Sequence, residues 1–197
     1  TLLLKLESSG LLIRKTMAES SHPSTFSVAK KSTITNSNVI LNLEQKAALK
    51  SISSSQNLFS TFLLDGVTGS GKTEVYIEAI SRQIEQGSQC LVLVPEIGLT
   101  PQTFSRFDRR FKCPVIMYHS GLSAKNKMIA WSQACDKKPF IVVGTRSSVF
   151  LPMPNLSLIV VDEEHDSSYK QQDGFRYSAR DVAVMRAHNE SFPVILG

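Results

Sequence analysis

The feature that most constrains this chain is a phosphate-binding loop over residues 66–73, with the sequence Gly-Val-Thr-Gly-Ser-Gly-Lys-Thr. It matches the pattern G-x-x-x-x-G-K-[ST] at every fixed position. The apolar run over residues 61–65 predicts a buried strand before the loop, and residues 74–80 predict a helix after it. This order of strand, loop and helix favours a nucleotide site over the alternative, a Gly-Ser-rich turn before a helix.

The residue types in the loop suit a bound phosphate. Glycines allow successive backbone N–H groups to surround an anion, and the positive end of the following helix faces the same anion. Lys72 can reach the β- and γ-phosphates of ATP, and the Thr73 hydroxyl can ligate Mg²⁺. We therefore predict an ATP site formed by Gly66, Val67, Thr68, Gly69, Ser70, Gly71, Lys72 and Thr73.

Composition indicates an ordinary globular protein of 197 residues, with 42% hydrophobic and 20% charged residues. The net charge of +5 is compatible with a nucleic-acid partner but does not require one. Cys90, Cys113 and Cys135 form no C-x-x-C pair, so we expect reduced thiols, a cytoplasmic location and no zinc site in this chain. No apolar run reaches membrane-spanning length, so we expect no membrane partner.

Regular structure is predicted to resume at Asn42, where Asn42 and Gln45 have the spacing of a capping box. Strands and helices are predicted to alternate from Phe59 onwards. The predicted strands are 61–65, 90–94, 115–118, 140–144, 157–162 and 193–197. The predicted helices are 42–52, 72–86, 100–111, 123–135 and 178–188. The apolar runs do not alternate with polar residues, which predicts an α/β fold with a mostly parallel sheet covered by helices on both faces.

A second motif follows the predicted strand 157–162, where the sequence continues as Asp162-Glu163-Glu164-His165. The carboxyl ends of parallel strands meet at one edge of a sheet, which is also the edge of the phosphate loop. We expect Asp162 to hold Mg²⁺ together with Thr73, and Glu163 to activate the attacking water. Lys72, Asp162 and Glu163 are therefore the predicted catalytic residues. The alternative is a pair of solvated carboxylates at a strand end.

Taken together, these motifs resemble the PriA family of superfamily 2 DNA helicases, which restart stalled bacterial replication forks. The similarity covers residues from about 41 to 197. The segments that carry it are the loop 66–76, Asp-Glu-Glu-His at 162–165, and the stretches 94–102, 118–123, 143–148, 168–172 and 176–183.

The resemblance implies an ATP-driven 3′-to-5′ DNA helicase with two RecA-like lobes, which acts at stalled or branched forks and loads the primosome. Residues 39–197 would be the first lobe, and the chain would stop before a Ser-Ala-Thr motif. The second lobe would carry an arginine finger and a zinc-binding insertion. Residues 1–15 resemble the end of a winged-helix domain, and the Ser-, Thr- and Lys-rich residues 16–38 are a predicted linker.

The implied cofactors are ATP and Mg²⁺, with zinc only in the second lobe. The implied partners are forked or single-stranded DNA, other primosome proteins and the single-stranded-DNA-binding protein. Glu164 and His165 would couple the nucleotide site to DNA. Gln45 either contacts the adenine edge or only caps its helix, and both alternatives stay open here.

Three segments are candidate DNA contacts. Pro95, Glu96 and Thr100 lie between a predicted strand and helix, and so do Thr145, Arg146 and Ser147. Either turn can meet a DNA phosphate or be simply a capped turn. The third segment interleaves aromatic and basic residues, which can stack on bases and follow phosphates, or anchor a surface loop. Its candidate residues are Tyr169, Lys170, Phe175, Arg176 and Tyr177.

Other functions compete with this interpretation. A different superfamily 2 translocase, of the fork-reversal or restriction type, shares most of these motifs. A small-molecule phosphotransferase would use the loop but does not explain the aromatic segment. The chain by itself would be a nucleotide-binding module with little turnover, because an arginine finger contributes about 10³–10⁵ in rate.

Overall fold

The computed structural model describes residues 40–55, 57–67, 69–98 and 100–197, apart from the side chain of Ile97. The predicted winged-helix end at 1–15, the predicted linker at 16–38 and Thr68 of the phosphate loop lie outside the described residues.

Helices and strands alternate along the described chain as the sequence predicts. The helices are α1 (Leu43–Ser53), α2 (Lys72–Glu85), α3 (Pro101–Arg110), α4 (Ala124–Ala134) and α5 (Ala179–Glu190). The longer strands are β1 (Ser60–Leu63), β2 (Gln89–Leu93), β3 (Val115–Tyr118), β4 (Ile141–Gly144), β5 (Leu156–Val161) and β8 (Pro193–Leu196). The strands β6 (Lys170–Gln171) and β7 (Tyr177–Ser178) form a separate short hairpin.

The six longer strands form one sheet in the order β1-β8-β5-β2-β4-β3, and every neighbouring pair is parallel. The register pairs Leu63 with Leu196, and Val161 with both Leu196 and Leu93. The carboxyl ends of β1, β5 and β2 therefore lie level at one edge. The predicted α/β fold with a parallel sheet is confirmed, and the phosphate loop and Asp162 both leave this edge.

Helix starts follow from local side chains. Asn42 and Gln45 form the predicted reciprocal capping box of α1. Thr100 caps α3 and Pro101 occupies its first position, where a missing N–H costs nothing. Ser178 caps α5 by accepting from the Asp181 N–H.

Two apolar layers cover the sheet, one on each face. Leu91 and Leu93 of β2 pack in the layer that contains α5, whereas Cys90 and Val92 pack with α2 on the other face. All four of these residues are fully buried. Double-sided burial explains the nearly continuous apolar runs of β2, β4, β5 and β8. The edge strand β1 differs, because its burial alternates and Leu63 is 68% exposed, so the strand before the phosphate loop is not buried as predicted. Within the described part of the chain, no helix is long and apolar enough to cross a membrane.

The hairpin β6–β7 lies in the aromatic segment, where the sequence predicts no strand. Two residues on each strand are too few to show an alternating pattern, and the antiparallel pairs Lys170–Ser178 and Gln171–Tyr177 form only through the turn between them. Gly174 adopts φ +68° within that turn, a conformation that glycine adopts without strain.

Thiol reactivity tests the burial pattern. Burial raises the pKa of Cys113 to about 11 and that of Cys90 well above its ordinary value, whereas Cys135 is exposed. Iodoacetamide at pH 8 should modify Cys135 first and Cys113 about 100-fold more slowly, because the thiolate is the nucleophile. Intact-mass spectrometry measures both rates. Cys135→Ser should remove the fast adduct, and rapid native modification of Cys90 would contradict the packing.

Candidate active site

The phosphate loop has the backbone conformation that its glycines predict. Gly69 and Gly71 adopt φ +85° and +87°, in the left-handed region that side chains disfavour. Gly71 is also the N-cap of α2, so the loop runs directly into the positive end of that helix. The loop is therefore shaped to present backbone N–H groups and a helix N-terminus to an anion.

Two cationic side chains contact the loop. The Lys72 ammonium donates to the Gly66 carbonyl over 2.9 Å, which holds its charge across the loop. Arg106 of α3 reaches the Thr73 hydroxyl over 3.5 Å. Sequence reasoning missed Arg106, because it lies on an exposed part of α3 outside the motifs. Only the packing of α3 beside α2 brings it to Thr73.

Gln45 takes part in both arrangements that the sequence left open. Its amide oxygen accepts from the Asn42 N–H over 2.9 Å, which completes the cap of α1. Its amide nitrogen donates to the Ser70 carbonyl over 3.1 Å. A Cβ on Gly71 would collide with the Gln45 amide, so the side chain lies directly against the loop. Capping therefore does not exclude a nucleotide role, and the adenine contact stays a prediction.

Asp162 follows β5 and is half-buried at the same edge. Burial raises the pKa of its carboxyl, and the adjacent charge of Glu163 raises it further, whereas Tyr76 and Lys72 lower it. Tyr76 of α2 is fully buried, and its hydroxyl faces this carboxyl without reaching full hydrogen-bond geometry. A half-buried pair of adjacent carboxylates suits a divalent cation, which favours the ionised form.

Glu163 adopts φ 48°, which is uncommon for a residue with a side chain. Its carboxylate lies 3.7 Å from the ring nitrogen Nε2 of the exposed His165. Glu164 points elsewhere and pairs with Arg180 of α5 over 2.8 Å. The two predicted coupling residues, Glu164 and His165, therefore contact different parts of the lobe.

A cavity of about 490 Å³ joins the two motifs. Its lining includes Thr73 from the loop, Asp162 and Glu163 from the strand end, and Arg106 from α3. The structure thus brings together the residues that the sequence predicted for Mg²⁺ and for water activation. Tyr76 also lines this cavity, and sequence reasoning missed it because an aromatic residue on the buried face of a helix predicts core packing.

The turn after β2 corrects one candidate DNA contact. Pro95 is buried and has no N–H, so the predicted phosphate contact is wrong there. The N–H of Thr100 donates to the Gly98 carbonyl over 2.9 Å, and its hydroxyl caps α3, which matches the alternative of a capped turn. Contact through the Thr100 hydroxyl stays a prediction, as does any role of the exposed Glu96.

The turn after β4 corrects a second candidate. Thr145 is only 3% exposed and its N–H donates to the Tyr118 carbonyl over 3.0 Å, so the predicted DNA contact is wrong there. Arg146 is half-buried, and its Nη1 donates to the carbonyls of Ser168 and Lys170. Ser147 is half-buried and stays a candidate.

The aromatic segment divides into a buried base and an exposed tip. Tyr169 is 1% exposed and donates its hydroxyl to the Asp162 carbonyl over 2.6 Å, so the predicted base stacking is wrong for this residue. Phe175 is 78% exposed, and its ring centroid lies 6.0 Å from that of the half-buried Tyr177. The exposed Lys170 and Arg176 flank them. These four residues stay candidates for DNA.

A pair of substitutions at Gln45 separates its two contacts. Gln45→Glu keeps an acceptor for the Asn42 N–H but loses the donor to Ser70, whereas Gln45→Ala loses both. If the loop contact matters, both variants should bind a fluorescent ADP about tenfold more weakly, whereas only Gln45→Ala should lose about 1 kcal/mol of stability. Normal ADP affinity of Gln45→Glu would reduce the residue to a helix cap.

Comparison with known proteins identifies a family and several relatives of this chain. The family model for DEAD/DEAH box helicases matches residues 42–196. Replication restart protein PriA of Haemophilus influenzae is 47% identical over 167 residues, that of Bacillus subtilis 47% over 156, and that of Synechocystis 51% over 154. These matches cover 81%, 78% and 78% of this chain but 23%, 19% and 18% of the relatives. The chain therefore spans about a fifth of the length of these relatives.

Solved structures share the fold at lower sequence identity. RecG bound to a three-way DNA junction superposes with a TM-score of 0.55 at 20% identity, over 80% of this chain and 21% of that one. The restriction-modification enzyme LlaBIII bound to DNA gives 0.56 at 15% identity, over 80% of this chain and 12% of that one. The described residues therefore form a RecA-like lobe, and the chain belongs to the DEAD/DEAH box helicase family.

Proposed function

We propose that this chain is the ATP-binding lobe of an ATP-dependent 3′-to-5′ DNA helicase that acts at stalled or branched forks and restarts replication. The observation that carries the proposal is the meeting of the phosphate loop with Asp162 and Glu163 around one cavity. Identity of 47–51% to replication restart proteins favours this branch of the family. Such a protein would work in the bacterial cytoplasm.

The roles of the site residues follow from charge and position. The loop N–H groups and Lys72 bind the phosphates, and the Thr73 hydroxyl and the Asp162 carboxylate would hold Mg²⁺. Bound Mg²⁺ would neutralise the charge that develops on the phosphates. Glu163 accepts a proton from the attacking water, supported by its half-exposed carboxylate at the cavity and by the nearby His165.

The DNA surface is proposed at the exposed tip of the hairpin. Phe175 offers an aromatic face to an unstacked base, and Lys170 and Arg176 add charge for the phosphates. Single-stranded DNA at a fork fits this surface better than a duplex, whose bases are stacked on each other. Primosome proteins and the single-stranded-DNA-binding protein are further proposed partners, from the resemblance alone.

Another superfamily 2 translocase is the second candidate. This candidate is supported by the fold that the chain shares with RecG and with the restriction enzyme. The shared fold extends over 80% of this chain at 15–20% identity. The much higher identity to replication restart proteins outweighs it. Residues 40–197 on their own should bind nucleotide but turn it over slowly, since an arginine finger from elsewhere would contribute about 10³–10⁵ in rate.

ATP turnover with and without forked DNA tests the proposal, in the full-length protein with both lobes. We expect DNA to stimulate ATPase strongly when the fork carries a single-stranded arm, and Lys72→Ala to abolish turnover in both conditions. Strand displacement from a labelled fork then reports the direction of movement. ATP hydrolysis that ignores DNA would refute the helicase and point to a small-molecule acceptor.

Glu163→Gln tests the proposed base. The amide cannot accept the water proton, so ATPase should fall by about 10²–10⁴ while nucleotide affinity is kept. Single-turnover hydrolysis and ADP binding measure the two effects. Asp136→Asn, which changes an exposed carboxyl after α4, is the matched control and should behave as the wild type. Near-normal turnover of Glu163→Gln would remove this residue from the mechanism.

A further inference from the structure

The buried tyrosine at the base of the hairpin makes a direct contact with the main chain of Asp162. Tyr169 donates its hydroxyl to the Asp162 carbonyl over 2.6 Å, and its ring is packed in the same apolar layer as Val161 and Ala183. Burial raises the pKa of the Tyr169 phenol, so it remains a donor across the working pH range. A partly buried hydrogen bond thus joins the base of the hairpin to the proposed metal ligand.

Arg146 contacts the carbonyls of the residues before and after this tyrosine. Its Nη1 donates to the Ser168 carbonyl over 3.1 Å and to the Lys170 carbonyl over 2.9 Å. Arg146 also lies close to the Tyr177 hydroxyl, whose pKa it lowers against the larger effect of burial. The guanidinium therefore contacts β6 through the Lys170 carbonyl and lies near the Tyr177 side chain of β7.

The position of Arg146 is itself set by tight packing. Gly144, two residues earlier, has no room for a side chain, because a Cβ there would lie 2.6 Å from both the Tyr118 carbonyl and the Ser148 hydroxyl. Contacts run from Arg146 through Tyr169 to Asp162. At the Asp162 end, the Asp162 N–H donates to the Leu93 carbonyl over 2.9 Å. The peptide on either side of the Asp162 side chain is thus held, by β2 through its N–H and by Tyr169 through its carbonyl.

We propose that Tyr169 is a positioning residue for Asp162, and that Arg146 is an internal clamp on the hairpin rather than a ligand for DNA phosphate. The proposal rests on the proposed function and deepens it, since it names the contacts through which a moved hairpin tip changes the metal site. Displacement of the tip strains the Arg146 contacts at carbonyls 168 and 170. Tyr169 then shifts, and the Asp162 carboxylate moves with its main chain.

Tyr169→Phe removes the hydroxyl and keeps the ring. Loss of a residue that orients a metal ligand commonly weakens metal binding by about 10- to 100-fold, so the Mg²⁺ concentration that promotes binding of fluorescent ADP should rise by at least about tenfold. Tyr118→Phe is the matched control, because it removes a hydroxyl from a half-buried tyrosine at the end of β3. The contacts that Tyr118 makes with the turn before Arg146 come from its main-chain carbonyl, which this substitution keeps. It should leave the Mg²⁺ dependence unchanged.

The test uses the full-length protein and combines that Mg²⁺ titration with thermal unfolding, DNA anisotropy and the ratio of DNA-stimulated to basal ATPase. We expect Tyr169→Phe to shift the Mg²⁺ dependence and lower the ratio with DNA affinity unchanged. A lower unfolding temperature with both readouts unchanged would make Tyr169 merely structural and overturn its role. Because the Mg²⁺ titration needs no DNA, it decides this point even if DNA stimulation is absent and the proposed function fails.

Arg146→Gln tests the clamp separately. We expect its DNA affinity and the salt dependence of binding to match the wild type, while the stimulation ratio falls as in Tyr169→Phe. A phosphate ligand would behave differently, since its removal weakens binding and reduces the slope of affinity against salt by about one counterion. That result would overturn the clamp and return Arg146 to the DNA surface.

Discussion

The parallel register of the central sheet is the constraint on which the rest of the lobe depends. Because β1, β8, β5 and β2 run in the same direction and end level, the loop after β1 and the carboxylates after β5 must share one edge. The apolar layers on both faces hold this register, since a one-residue slip would exchange the side chains between layers. A nucleotide site at the carboxyl edge follows from the topology.

At that edge, burial opposes the ionisation of the acidic side chains. Asp162 and Glu163 are adjacent carboxylates, and burial of the first makes its ionised form costly until a cation balances it. Lys72 and Arg106 supply positive charge around Thr73, while the buried Tyr76 approaches the Asp162 carboxyl from α2. The side chains of the site balance these charges only in part. The site therefore suits a ligand that brings both phosphate and a metal ion.

The sequence was informative wherever a signal was local. The glycine pattern of the loop, the caps at Asn42 and Thr100 and the apolar strands predicted the elements to within two residues. It was less informative for the candidate DNA contacts, because burial depends on packing between distant elements. Thr145 and Tyr169 have residue types that suit a DNA surface, yet both are enclosed, as is Pro95. Arg106 gave no signal because it lies outside the motifs, and Tyr76 gave none because an aromatic residue on a helix predicts core packing.

The amino-acid sequence by itself determined the class of fold, the phosphate loop and the acidic pair, because each is specified by residues within a few positions of one another. Only the tertiary structure decided which aromatic residues of the hairpin face solvent and which face the core. Tyr169 and Phe175 are six positions apart and chemically alike, but one donates to Asp162 and the other is exposed. That difference arises from the packing of the hairpin base against the sheet, a non-local contact that no short pattern records.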